Sequence, residues 1–416
     1  MFVMFHSLLE KLNLVVFSDL QKDKVFHAFC KLLRHTQCDG AYNENTIYWM
    51  TIQEKYNAFV KLLYQAHTDN WTEYLKNLIL SMQTPCIWYV SQGLPIPEMI
   101  EKSARQELQV LSKLIKISSK EIKEKLDKSL FVPDWTAEEI DLEKLYFERL
   151  ENIGKYGFGV WSKYHMFRMK LSDNAENGYI LKPVAHPDAI SLEMLTGYEL
   201  QRQQVVDNTK ALLKGLPASN ILLYGSAGTG KSATVKAVAN AFAGEGLRLI
   251  ELSKNELHLL PELLEELSGN PLKFVIFVDD LSFQDNDDNF SALKAVLEGS
   301  VSARSHNVVI YATSNRRHIV RETFSQRAGD EIRRNDTMQE TISLSERFGI
   351  QLLFDKPNKQ LYFEIVSALA EQCHLQMSAE ELQEEAERFA TRKGGRSART
   401  ARQFVDQLQA KQCMKE

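Results

Sequence analysis

The sequence predicts an α/β protein: a parallel sheet with helices on both faces, preceded by an all-helical N-terminal domain and followed by a small helical C-terminal domain. Three observations lead there. Short apolar runs at residues 220–224, 247–252, 274–278 and 308–312 alternate with helical stretches, as strands buried on both faces do. A glycine-rich octapeptide from Gly225 to Ser232 joins the first run to the helix after it. On either side of this region apolar residues recur at three- and four-residue spacing, as in Leu8, Leu9 and Leu12 or in Leu108, Leu111, Leu114 and Ile115.

At 416 residues the chain exceeds what one hydrophobic core supports, so two or three domains are expected. We read a helical domain over residues 1–171 and a linker over 172–187, marked by Asp, Asn, Gly and Pro. The α/β domain then spans 188–354 and the last helical domain 355–416. A hydrophobic fraction of 44% and a charged fraction of 25% exclude a disordered or fibrous protein. The formal net charge of -5 makes nucleic acid an unfavoured partner, while leaving room for a local basic patch. Cys30, Cys38, Cys86, Cys373 and Cys413 form no CxxC pair and read as reduced thiols of a cytoplasmic protein.

Residues 1–17 are apolar, but Glu10 and Lys11 interrupt them and no small-residue cleavage site precedes Asp19. A buried amphipathic helix is expected there rather than a signal peptide. No run approaches the ~20 apolar residues of a membrane span, so no membrane partner is expected. The N-terminal part has few turn signals, Gly93-Leu94-Pro95 and Val132-Pro133-Asp134 being the clearest, which predicts one helical domain with room for a subdivision near residue 100. Its frequent aromatic residues, among them Tyr56, Trp71, Trp88, Trp135 and Tyr146, are expected in the core rather than in a binding groove.

The chemistry lies further along. Gly225-Ser226-Ala227-Gly228-Thr229-Gly230-Lys231-Ser232 satisfies G-x-x-x-x-G-K-[ST] at every fixed position. Its glycines let the backbone curl until several N–H groups point at phosphate oxygens, and the helix starting near Lys231 adds its positive end. Lys231 is expected to reach the β- and γ-phosphates of ATP and Ser232 to ligate Mg²⁺. The run 274–278 ends in Asp279-Asp280, which places two carboxylates at the C-terminal edge of a buried strand. Asp279 suits the acid that holds Mg²⁺ through its water shell. Asp280 is placed to act as a general base.

The order of phosphate loop, strand ending in paired acids, and strand ending in Thr313-Ser314-Asn315 resembles the AAA+ P-loop ATPases. The resemblance covers about residues 186–410. It implies that Asn315 is sensor 1, bonded to the γ-phosphate or the attacking water, the alternative being a cap of the next turn. In most hydrolysing members a glutamate follows the Mg²⁺ aspartate; Asp280 reaches one methylene less far, so slow turnover is expected. The stretch from Ser343 to Ile350 resembles the one that carries the arginine finger, which makes Arg347 the candidate to enter a neighbouring subunit's site, with Arg333 and Arg334 as competitors. Gly394-Gly395-Arg396-Ser397-Ala398-Arg399 resembles sensor 2, whose arginine touches the γ-phosphate from a helical lid. Arg399 is the first choice, with Arg396 and Arg402 open. Leu195-Thr196-Gly197-Tyr198-Glu199 resembles the segment that packs on the adenine, so Gly197 and Tyr198 join the nucleotide-binding candidates.

Within the family the sequence resembles most a bacterial AAA+ subfamily of unassigned cellular function with a helical N-terminal region, and less closely the helicase-loader ATPases. The resemblance implies an ATPase that hydrolyses ATP between subunits of a nucleotide-dependent homo-oligomer and remodels or loads a protein partner recruited by the N-terminal domain. A nucleotide switch with little turnover is the alternative, kept open by Asp280. A nucleic-acid-acting motor is the third class. Its basic cluster of Arg316, Arg317, His318 and Arg321 is better accounted for by phosphate sensing or subunit contacts.

Overall fold

A computed structural model of the chain describes residues 8–36, 46–123, 132–172, 174–175, 177–281, 288–298, 306–315 and 345–414. They fall into two compact units, Met1–Lys163 and Tyr164–Glu416.

The first unit is helical: α1 (Lys24–His35), α2 (Thr46–Gln65), α3 (Trp71–Ser81), α4 (Pro85–Ser91), α5 (Glu98–Ile115), α6 (Ser119–Lys123), α7 (Leu142–Glu151) and α8 (Ile153–Tyr156). Polar side chains start several of them. Asp23 accepts the Phe26 N–H at 2.8 Å, Asn70 accepts that of Glu73 at 2.8 Å, and Thr84 precedes Pro85 at the first turn of α4. One hydrophobic core runs from Leu8 to Ile153, so among the described residues no subdivision appears near residue 100. Aromatic rings fill it, with Phe29 and Trp71 centroids 4.3 Å apart and Phe59 and Trp135 4.9 Å apart. Trp88, 56% exposed, stands outside.

The helix expected over residues 1–17 is helical only from Leu8 to Glu10 among the described residues. Leu14, Val16 and Phe17 are buried all the same. The carboxylate of buried Glu107 accepts the N–H groups of Val15, Val16 and Phe17 at 2.9 to 3.1 Å, so these amides need no helical carbonyl.

The second unit is built on a seven-stranded sheet of order β2-β1-β4-β5-β6-β3-β7. Its strands are β1 (Met166–Leu171), β2 (Tyr179–Pro183), β3 (Ile221–Gly225), β4 (Leu247–Leu252), β5 (Lys273–Val278), β6 (Val308–Ser314) and β7 (Ile350–Phe354). Every pairing is parallel except that of β1 with β2. Two boundaries therefore move. Residues expected to end the helical domain form β1, and the expected linker 172–187 contains the hairpin turn and β2. The Asp, Asn and Gly content marks that turn, where Ser172 N–H meets Gly178 O at 2.9 Å and Gly178 has φ +73°. β1 pairs on with β4, Met166 opposite Leu249, and this ties it to the sheet rather than to the helices before it.

Helices α9 (Glu199–Leu213) and α10 (Lys231–Phe242) pack on one face of the sheet, against Ile221, Leu223, Leu249, Val275 and Phe277. The alternate residues Leu222, Ile250, Phe274 and Ile276 are buried too, so the opposite face is also covered. Helix α11 (Leu260–Ser268) contacts β6. After α12 (Asp288–Glu298) and the last two strands, α13 (Lys359–Gln372), α14 (Ala379–Arg392) and α15 (Ala398–Cys413) close around their own apolar core as a small lid. Doubly covered parallel sheet, loop-bearing β3 and helical lid make the P-loop AAA+ arrangement that the order of motifs predicts. Among the described residues no helix is long and apolar enough to cross a membrane.

Candidate functional site

The register gathers the site. β6 lies between β5 and β3, with Val278 opposite Ala312 and Leu223 opposite Thr313. The chain segments leaving these three strands therefore sit side by side at the C-terminal edge of the sheet, where parallel sheets collect ligands. One carries the glycine-rich loop, one carries Asp279 and Asp280, and one ends in Asn315.

The loop curls because Gly225, Gly228 and Gly230 adopt φ of +127°, +75° and +97°. At Gly225 even space is short: a Cβ would lie 2.3 Å from the Phe354 carbonyl oxygen, the same oxygen that accepts Ser226 N–H at 3.0 Å. Lys231 opens α10 and is only 6% exposed. Its ammonium donates to Gly225 O at 3.0 Å, Ser226 O at 2.7 Å and Asn315 Oδ1 at 3.2 Å. Burial holds this ammonium below the usual lysine range; nearby Asp279 and Asp280 partly offset that, and Arg399 adds to it.

The two acids differ in surroundings. Asp279 Oδ1 accepts hydroxyl protons from Ser232 and from Thr313, each at 2.6 Å. Asp280 turns left-handed at φ +53°, a conformation costing roughly 1–2 kcal/mol in most non-glycine residues and one that Asp tolerates better than most. Its N–H donates to Thr313 Oγ1 at 2.9 Å and its Oδ1 accepts the Asn315 amide at 2.8 Å. A hydroxyl and a carboxylate in contact form an all-oxygen donor pair. That suits Mg²⁺, which takes one or two protein ligands and completes its shell with water and phosphate.

A cavity of about 520 Å³ spans the sheet edge and the lid. Its lining combines Lys231, Asp279, Asp280 and Asn315 with apolar Ile190, Leu195, Ile365 and Leu369. Charged groups and an apolar wall thus share one space, the combination that small-molecule sites present.

The structure sorts the remaining candidates. Ala227 to Ser232 line the cavity, while Gly225 and Ser226 brace Lys231 from behind. Arg399 and Arg402 line it from α15, whereas Arg396 is held by Glu387. Arg399 also donates its backbone N–H to Gly228 O at 3.0 Å, so a loop carbonyl satisfies an amide at the start of α15. Arg347, half-buried in the turn before β7, is not part of the lining. Gly197 and Tyr198 also stand outside it. With φ of +81° and +60° they turn the chain into α9, and the Tyr198 ring rests 5.1 Å from that of Phe354; Leu195 and Thr196 supply the wall instead. Arg316, Arg317, His318, Arg321, Arg333 and Arg334 lie outside the described residues.

Sequence reasoning missed three residues. Thr313 touches both acids, and its place at the end of an apolar run, two residues before Asn315, was the available signal. Arg202, itself part of the cavity lining, donates to Gly197 O and to Glu199. Asn240, far along α10, donates to Asp188 O and Ile190 O at 2.8 Å each and meets His165 at 3.0 Å. No pattern marks these last two.

Residues 162–412 match the family described as "Protein of unknown function (DUF815)". No curated protein matches the chain. Among solved structures, two point variants of RuvB from Thermotoga maritima align at 16% and 15% identity with TM-scores of 0.37 and 0.36, each over 52% of this chain and 63% of that one. The chain thus spans less than two thirds of the length of those structures.

Proposed function

The chain belongs to the DUF815 family, whose model matches residues 162–412, and from that premise we propose that it binds ATP with Mg²⁺ and hydrolyses it to remodel or load a protein partner. What supports the reading most is one convergence: the Lys231 ammonium, the Ser232–Asp279 pair and the Asn315–Asp280 pair face a single cavity with an apolar wall.

Each residue has a share in the reaction. Loop amides and Lys231 bind and orient the β- and γ-phosphates. Ser232 and Asp279 hold Mg²⁺, which neutralises charge on the phosphate oxygens when bound. Asp280 takes the proton of the attacking water, and Asn315 orients that water or the γ-phosphate. Arg399 brings a cation from the lid, and Arg347 brings one from a neighbouring subunit of a nucleotide-dependent homo-oligomer. The helical unit before the sheet recruits the partner, and the protein works in the cytoplasm.

A nucleotide switch with little turnover is the second reading. Its support is the Asp280 carboxylate, one methylene shorter than a glutamate and engaged by Asn315 at 2.8 Å.

Calorimetry and phosphate release on three proteins decide between them. Lys231→Ala should abolish ATP binding by removing the cation at the phosphates, and equal affinity in variant and parent defeats the nucleotide reading. Asp280→Asn should bind ATP and lose most phosphate release. A parent without turnover above background leaves the switch.

A further inference from the structure

We propose that Thr313 is a positioning residue whose one hydroxyl sets both carboxylates of the site, aiming Asp279 at Mg²⁺ and holding Asp280 where it meets Asn315. The inference rests on the ATP and Mg²⁺ reading above.

Thr313 is 2% exposed, and its hydroxyl makes two bonds whose directions are forced. The Asp280 N–H can only donate, so at 2.9 Å it takes a lone pair of Thr313 Oγ1. The hydroxyl proton is then directed at Asp279 Oδ1, 2.6 Å away. One atom of β6 thereby ties down two consecutive residues at the end of β5. Ser232 donates to the same Oδ1 at 2.6 Å, so two hydroxyl donors converge on one oxygen and hold the carboxylate in place. On the other side the link to the Asp280 amide anchors the residue that turns left-handed at φ +53°. From that turn its Oδ1 reaches the Asn315 amide at 2.8 Å. Thr313 near the end of β6 and Asn315 just beyond that end thus both meet the acids.

Thr313→Val keeps the shape and removes both bonds; Thr313→Ser keeps the hydroxyl. The test is calorimetric binding of a non-hydrolysable ATP analogue with and without Mg²⁺, alongside kcat and KM for phosphate release. Metal-free affinity should be unchanged in both variants, because the loop and Lys231 are intact. In Thr313→Val the enhancement of binding by Mg²⁺ should fall about 10-fold or more, as for other groups that orient a metal ligand, with kcat falling more than KM rises. Thr313→Ser should restore both. A Thr313→Val protein with the parental Mg²⁺ enhancement overturns the proposal, as does one that also loses metal-free binding, since the hydroxyl then serves the fold. Equal losses in Val and Ser overturn it too. A parent that binds no nucleotide defeats the underlying reading and the proposal with it, an outcome distinct from a parent that binds and a Val variant that matches it.

Discussion

Replacing Gly225 with alanine should unfold the second unit at a much lower temperature, and the structure separates two contributions. The first is conformational: at φ +127° an L-residue is strained whatever the space, by about 1–3 kcal/mol. The second is steric. The new Cβ would stand 2.3 Å from Phe354 O and 2.7 Å from its carbonyl carbon, both backbone atoms of a paired strand that cannot swing aside. Overpacking of this kind adds about 1–3 kcal/mol. Gly230→Ala isolates the first contribution, because φ is +97° there and nothing lies within 4 Å of the added atom. Gly244→Ala, with open space and no left-handed φ, is the neutral control. At roughly 2–4 °C per kcal/mol for a unit of this size, Gly225→Ala should melt about 4–24 °C below the parent, with Gly230→Ala between it and the control.

Calorimetry combined with fluorescence assigns the transition. All five tryptophans lie at or before Trp161, within the first unit, so a transition of the second has no tryptophan signal of its own. The shift should appear in heat capacity and not in tryptophan emission. Gly225→Ala melting with the Gly244→Ala control, or no lower than Gly230→Ala, would refute the account of why β7 and the loop require glycine here.

Two further outcomes concern the arginines. Arg399→Ala should cut ATP turnover, whereas Arg396→Ala, which breaks a partly exposed pair with Glu387, should leave turnover near parental and cost no more than about 1 kcal/mol in a melting curve; steady-state kinetics with the opposite order would assign the lid's sensor to Arg396. Mixing Arg347→Ala, which keeps its loop, with Lys231→Ala, which keeps its finger, should restore part of the turnover absent from either alone, since such a finger is worth on the order of 10³–10⁵ in rate. Arg347→Ala alone at parental turnover would remove it from the site.

Much of the candidate site was legible because its parts are local. Gly225 to Ser232 form one octapeptide, and Asp279, Asp280 and Asn315 each follow an apolar run that has to be buried. The three strands carrying these groups, β3, β5 and β6, are largely apolar segments, and so is β4 apart from Arg248 and Glu251. The three strands not foreseen are different. β1 mixes buried and exposed positions without clean alternation, β2 ends in Pro183, and β7 is a short run with Gln351 and Leu353 exposed. Each is a strand because of its neighbour, and no neighbour is visible in a single segment. The same holds for residues 8–17, where apolar periodicity suggested a helix and a carboxylate from Glu107 took the amides instead.

By itself, then, the sequence determined the glycine-rich loop, its Lys231 and Ser232, the paired acids and the alternation that demands a covered parallel sheet. These depend on turn chemistry and periodicity within a few residues. Only the tertiary structure decided that Asn315 bonds Lys231 across 84 residues, that Thr313 bridges both acids, that Arg396 is spent on Glu387 while Arg399 lines the cavity, and that the hairpin of β1 and β2 belongs to the sheet. The physical reason is that a hydrogen bond or a buried contact between distant segments exists only once the faces of strands and helices have been paired. That pairing is settled by the burial of the whole unit, not by any one stretch of chain.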